Sequence, residues 1–223
     1  MKRLLPVLFT LFLSIACFGQ EVEVSGSYNT SSEQRFQNGY GVGLQYQQDI
    51  IKRVKVGLGV HYNFNNASFD YIPYLDYSPT AMGIEKIYSS SKRFSVRLNA
   101  QYLLKDNEYV SLSIGPEISY NNLWGQDHIY GRIGDGVDSY HSSPQSYEYK
   151  HDNKLDGIFG AGLISKIEIK DFLTKQLALC FTIREESLLG NHIEYLGGSD
   201  APLFNGWITA TEFQLGLKYR FKK

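Results

Sequence analysis

Cysteine, proline and an excess of either charge are what this chain has least of, and each shortage excludes something. Two cysteines in 223 residues are too few for a multi-bridge disulfide scaffold or a four-cysteine zinc site. With 22 basic and 23 acidic residues the formal charge is −1. There is no basic excess of the kind that drives nucleic-acid binding, so no nucleic-acid partner is expected. Mean hydropathy is negative, which excludes a polytopic helical membrane protein. It leaves open a membrane protein whose apolar residues alternate with polar ones. The length suits one ordinary domain or a single barrel.

What the chain does have is 17 tyrosines, 13 phenylalanines and 21 glycines, and a first segment unlike the rest. Lys2 and Arg3 precede an apolar run over residues 4–16, and Cys17 and Gly19 place small residues at −3 and −1 of a cleavage site. Residues 1–19 therefore read as a secretory signal peptide, and residues 20–223 as the mature domain. Ser14-Ile15-Ala16-Cys17 is also a loose match to a lipoprotein box, which leaves lipidation of Cys17 as the alternative to cleavage two residues later. After cleavage Cys180 is the lone thiol. It lies between Leu179 and Phe181 in a strand pattern and is expected to be packed and inert.

Beyond residue 20 the dominant signal has period two, and no helical stretch of useful length competes with it. Val22, Val24 and Tyr28 alternate with Glu23, Ser25 and Ser27. The same alternation recurs around residues 40–47, 54–64, 93–102, 110–120, 159–168, 177–184 and 209–221. The connections at 48–53, 103–109 and 170–176 are short, whereas those at 30–39, 65–92, 121–157 and 188–206 are long and polar. Short turns on one side and long loops on the other predict an all-β protein. The expected fold is an eight-stranded antiparallel up-and-down transmembrane β-barrel with short periplasmic turns and long extracellular loops.

Alternation alone does not separate a membrane barrel from a soluble lipocalin-like ligand carrier, because both have one apolar and one polar face. The residue types favour lipid outside. The polar face is mostly Gly, Ser, Ala, Gln and Asn, which suits the inside of a narrow barrel rather than an aqueous surface. Tyr28, Tyr40, Tyr46, Tyr62, Tyr102, Tyr120 and Tyr219 lie mostly towards strand ends on the apolar face, as an interface girdle requires. Glu23, Arg97, Glu117, Lys166, Glu168, Arg184, Glu212 and Lys218 then point inwards, where they must pair into a charge network. Arg97 and Glu117 are expected to meet across the 103–109 turn, in register or within one residue pair. His61 is expected to be a hydrogen-bonded interior residue.

The last strand carries the most specific motif. Gln214-x-Gly216-x-x-Tyr219-x-Phe221 looks like the assembly signal of Gram-negative outer-membrane barrels, although Lys222 and Lys223 follow where that family usually ends on the aromatic. With the leader and the eight strands, the chain resembles the small OmpA/OmpX-like outer-membrane barrel family. The resemblance implies location in the cell outer membrane, contact with outer-membrane lipid, and handling by the barrel-assembly machinery through the C-terminal strand. It implies no cofactor.

Candidate chemistry is sparse, and no catalytic, cofactor or metal residues are assigned. His141-Ser142-Ser143 is the nearest local match to the serine hydrolase arrangement of lipid A deacylases. It falls in the middle of a long loop, whereas that family's motif sits on a lipid-facing strand. The five histidines, at 61, 128, 141, 151 and 192, have no metal spacing. A metal site from His128, His141 and His151 with neighbouring aspartates is the remaining alternative to four solvated loop histidines. Gly131-Arg132-Ile133-Gly134-Asp135-Gly136 lacks the lysine of a phosphate loop and reads as flexible loop. The aromatics of loops 65–92 and 121–157, Tyr71, Tyr74, Trp124 and Tyr130 among them, either bind an extracellular protein or glycan or extend strands above the membrane. The expected function is structural or interactive at the cell surface, on a barrel with a filled polar interior. A small-solute pore, a lipid-modifying enzyme and a soluble carrier are the alternatives.

Overall fold

The alternating stretches become eight strands in the computed structural model, which describes residues 20–32, 38–71, 83–133, 145–189 and 207–221. They are β1 (Gln20–Ser31), β2 (Gly39–Ile51), β3 (Val54–Tyr71), β4 (Gly83–Asp106), β5 (Val110–Ile133), β6 (Gln145–Ile169), β7 (Leu177–Leu189) and β8 (Trp207–Arg220). Each pairs antiparallel with its neighbour in sequence, and β8 returns to β1, so the sheet closes into an up-and-down barrel. The pairings can be followed once around from Glu21 through Gln47, Gly57, Asn99, Glu117, Gly162, Glu186 and Ala210. That path returns to β1 at Ser31, ten residues further on. A stagger of that size over eight strands gives a tilt of about 40° and an interior just wide enough for side chains.

The two faces of the wall differ sharply. Val42 is 61% exposed, Leu215 59% and Phe159 63%, and they belong to an apolar outer belt. At one end of the belt lie Tyr46, Tyr102, Tyr219 and Phe221; at the other lie Tyr28, Tyr40, Tyr62, Tyr120 and Phe159. Several of these aromatics touch edge-on or tilted, as do Tyr28 with Tyr40, Tyr120 with Phe159 and Tyr219 with Phe221. Most inward residues are polar or glycine, with a minority of apolar ones such as Ile164, Ala178 and Leu188. Among the described residues no helix is long and apolar enough to cross a membrane, which says nothing about crossing by strands.

Three bulges set which residues face inwards. One extra residue interrupts the ladder between Asp49 and Ile51 and another between Leu103 and Lys105. Without the second, β4 and β5 would pair with opposite parity, and the inward sides of the two strands would not match. The third bulge, opposite Asn122, contains Gly157 at φ 76°, a left-handed conformation that glycine adopts without a Cβ penalty. Its N–H donates to Asn122 Oδ1 at 2.9 Å. Below this bulge the even residues of β6 face inwards, including Ile158, Gly160, Ile164, Lys166 and Glu168. Above it, Leu155 rather than an even residue pairs with the inward Leu123.

Two of the expected long loops are mostly strand, which corrects the 65–92 and 121–157 boundaries. β3 continues to Tyr71 and β4 begins at Gly83; β5 continues to Ile133 and β6 begins at Gln145. These segments stand beyond the apolar belt, where neither face has to be uniformly apolar, so period two fades although the hydrogen-bond ladder continues. His128 and His151 are strand residues for the same reason, not loop residues. Gly131 to Ile133 end β5. Residues 1–19 with Cys17, the remainder of the 131–136 glycine segment, Tyr74, His141, Ser142, Ser143, His192, Lys222 and Lys223 lie outside the described residues.

Candidate functional site in the barrel interior

The inward side chains of the belt region sort into layers along the barrel. Nearest the short turns, Lys218 Nζ lies 2.9 Å from Glu21 Oε2 and also pairs with Glu168. Lys55 Nζ reaches the same Glu21 oxygen at 2.8 Å. Arg220 donates to Glu21 and Glu168 from the rim. Lys166 Nζ and Glu23 Oε2 are 2.6 Å apart. Each cation thus has a carboxylate from another strand, and in a low-dielectric interior that is the condition for keeping both charged.

The middle layer is built on arginine. Arg184 pairs with Glu117 and donates to Gln45 Oε1 at 2.8 Å. Asn99 Nδ2 donates to the same Glu117 at 3.2 Å. Arg97 Nη2 lies 2.6 Å from Glu212 Oε2, and Arg93 spans Glu186 at 3.3 Å and Glu212 at 3.4 Å. Gln214 Nε2 donates to Glu212 Oε1 at 2.7 Å and lies 3.3 Å from His61 Nδ1. Arg97 is 1% exposed and Lys218 is fully buried. Towards the other end Leu123, Ile158, Leu188 and Ile208 pack together on the β5–β8 side of the interior, while hydrogen-bonded Asn29, Asn65 and Ser91 line the β1–β4 side.

All eight charges singled out in the sequence are buried in this interior. Arg97 and Glu117 stand one inward pair apart in the ladder, Ser119 being opposite Arg97 and Asn99 opposite Glu117, but their ion pairs go to Glu212 of β8 and Arg184 of β7 instead. In so narrow a lumen an opposing strand is as close as the next residue pair on the neighbouring one. Within the belt four inward charges escaped the sequence reading, Glu21, Lys55, Arg93 and Glu186, and above it so did the buried Asp127. Lys55 and Arg93 stood in alternating stretches, so parity alone could have found them. Glu21 precedes the first apolar residue of its strand, and Glu186 follows the last alternating one. With these four the buried interior of the belt holds six carboxylates (Glu21, Glu23, Glu117, Glu168, Glu186 and Glu212). Facing them are six cations: Lys55, Arg93, Arg97, Lys166, Arg184 and Lys218.

The residues of the C-terminal motif divide between the two faces. Gln214 and Gly216 point inwards, and a Cβ on Gly216 would stand 2.8 Å from Glu23 Oε1. Tyr219 and Phe221 point outwards with ring centroids 5.1 Å apart. Cys180 is a free, buried thiol on β7. Among the described residues no group of three or more metal-ligating side chains comes together.

No protein-family model matches this chain, and no curated protein matches it either. Solved structures similar to it include Neisserial surface protein A, 13% identical, covering 91% of this chain and 97% of that chain at a TM-score of 0.44. The attachment invasion locus protein Ail of Yersinia pestis is 16% identical and covers 92% of this chain and 99% of that one, at 0.34. The outer membrane protease OmpT from Escherichia coli is 9% identical and covers 91% and 97%, at 0.44. The barrel assignment stands on the strand pairing described above.

Proposed function

We propose that this protein is an outer-membrane β-barrel with a filled polar interior, whose role at the cell surface is structural or interactive rather than enzymatic. The observation that carries the reading is the inversion of the wall: a continuous apolar belt faces out between two aromatic rings, and balanced charges face in. A protein in water would bury the first and expose the second. In a bilayer the arrangement meets both requirements of the solvent: ladder hydrogen bonds close on themselves, and aromatic rings sit at the two interfaces. The short turns then face the periplasm, and β3 to β6 rise from the outer surface as a sheet. Residues 1–19 serve as the export signal, and Gln214, Gly216, Tyr219 and Phe221 serve as the assembly signal on the closing strand.

The interior network acts as the filling. Six carboxylates against six cations leave little lumen, and the apolar cluster of Leu123, Ile158, Leu188 and Ile208 fills one side of it above. The raised sheet supplies the surface for recognition. Migration of the membrane fraction on a gel tests the placement. Unboiled protein is expected to run as a compact band that shifts on boiling, and unboiled protein running at its boiled position sinks the membrane reading.

A further inference from the structure

The outward face of the raised strands carries side chains that the interior network does not use. Tyr88 of β4 is opposite His128 of β5, Lys86 is opposite Tyr130, and Glu148 of β6 is opposite Tyr130 on the other side. Lys86, Tyr88, His128 and Tyr130 line a shallow groove of about 470 Å³. Its floor is aromatic: the Tyr88 and Tyr130 rings meet edge to face at 5.8 Å, and the His128 ring leans on Tyr130 at 4.8 Å. Both tyrosines remain exposed, at 45% and 40%. Its rim is polar. Tyr130 Oη lies 3.1 Å from His128 Nδ1, His128 Nε2 lies 2.9 Å from Glu148 Oε1, and Lys86 Nζ stands 5.6 Å from the Tyr88 centroid.

An open aromatic floor ringed by donors and acceptors suits a ligand with apolar ring faces and a hydroxyl edge, which is the chemistry of a sugar. An acyl chain would leave the rim unmet. A polyanion is disfavoured as well, because the carboxylate of Glu148 stands beside His128 and Lys86 is the one cation among the described residues that line the groove. One cation matches one acidic substituent. The position narrows the source. Tyr130 is ten residues beyond the girdle residue Tyr120 on β5, which after strand tilt is on the order of 20 Å above the belt. The groove continues the lipid-facing wall, so it looks along the membrane plane. Sugar chains carried by neighbouring outer-leaflet lipids rise beside it, whereas a glycan arriving from outside meets the tips first.

We propose that this groove binds the saccharide headgroup of a neighbouring outer-leaflet glycolipid, one sugar ring resting on Tyr88 and Tyr130 and an acidic substituent meeting Lys86. The inference rests on the membrane placement proposed above. The test is calorimetric titration of the protein in phospholipid nanodiscs with core oligosaccharide released from lipopolysaccharide, phosphorylated and dephosphorylated. Saturable binding is expected, weakened about tenfold in Tyr88→Ala and in Tyr130→Ala. Lys86→Met is expected to weaken the phosphorylated form alone. No saturable binding by the unaltered protein, full binding by both tyrosine variants, or binding of a heparin fragment in place of the core oligosaccharide overturns it. Heat-modifiable migration of the same samples reports the membrane reading separately. A sample that runs as a folded barrel yet ignores the oligosaccharide overturns the groove alone.

Discussion

At the scale of single residues, the interior is a set of charges whose stability depends on company. Glu212 receives Arg97 at 2.6 Å and Arg93 at 3.4 Å, so removing Arg97 leaves a buried carboxylate short of its nearest partner. Arg97→Ala is expected to cost about 3–5 kcal/mol of barrel stability in denaturant unfolding from lipid vesicles. Replacing both partners, as Arg97→Met with Glu212→Leu, is expected to cost far less, since no orphan charge remains. Equal losses in the single and double variants would show that the pair matters for its packing and not its charge. Parity in the sequence was enough to send Arg97, Arg184, Glu212 and Lys218 inwards. Their partners were not legible, because cross-lumen distances depend on the stagger of the whole barrel and on bulges that no short window reveals.

At the scale of elements, the strands within the belt were readable and their extensions were not. Val54 to Phe64 alternates cleanly because one side of β3 meets an apolar surrounding and the other a polar lumen. Ser89-Ser90-Ser91 on β4 carries no such contrast, although its ladder to β5 continues through Asp127, Gln126 and Gly125. β7 shows the same limit at shorter range: beyond Ile183 its outward positions become Glu185 and Ser187, and Glu186 was lost with them. β6 was the least regular strand in sequence because within the belt Ile164 points inwards and Ser165 outwards, and above it the Gly157 bulge changes the parity. That bulge invites a direct check. Gly157→Ala places a Cβ on a φ of 76° and is expected to cost about 1–2 kcal/mol in the same unfolding assay, while Gly157→Asn costs less. Unchanged stability in the alanine variant would mean that the bulge is not held in this conformation.

At the scale of the whole molecule, a composition that averages to the hydropathy of a soluble protein separates into two surfaces once the barrel closes. The tyrosines become aromatic rings at the ends of an apolar belt and a groove above it, and the inward glycines make room in a crowded lumen. Gly43 is an example, since a Cβ there would run into the His61 ring. The same closure turns near-neutral charge into a balanced interior. The central claim is that the exposed apolar face meets lipid, and spin labels placed singly at Val42, Leu44, Val60, Leu98 and Leu215, with Cys180 replaced, test it most directly. In reconstituted vesicles each label is expected to be accessible to dissolved oxygen and shielded from a water-soluble nickel complex. Ready access of the nickel complex to these five positions would contradict the account.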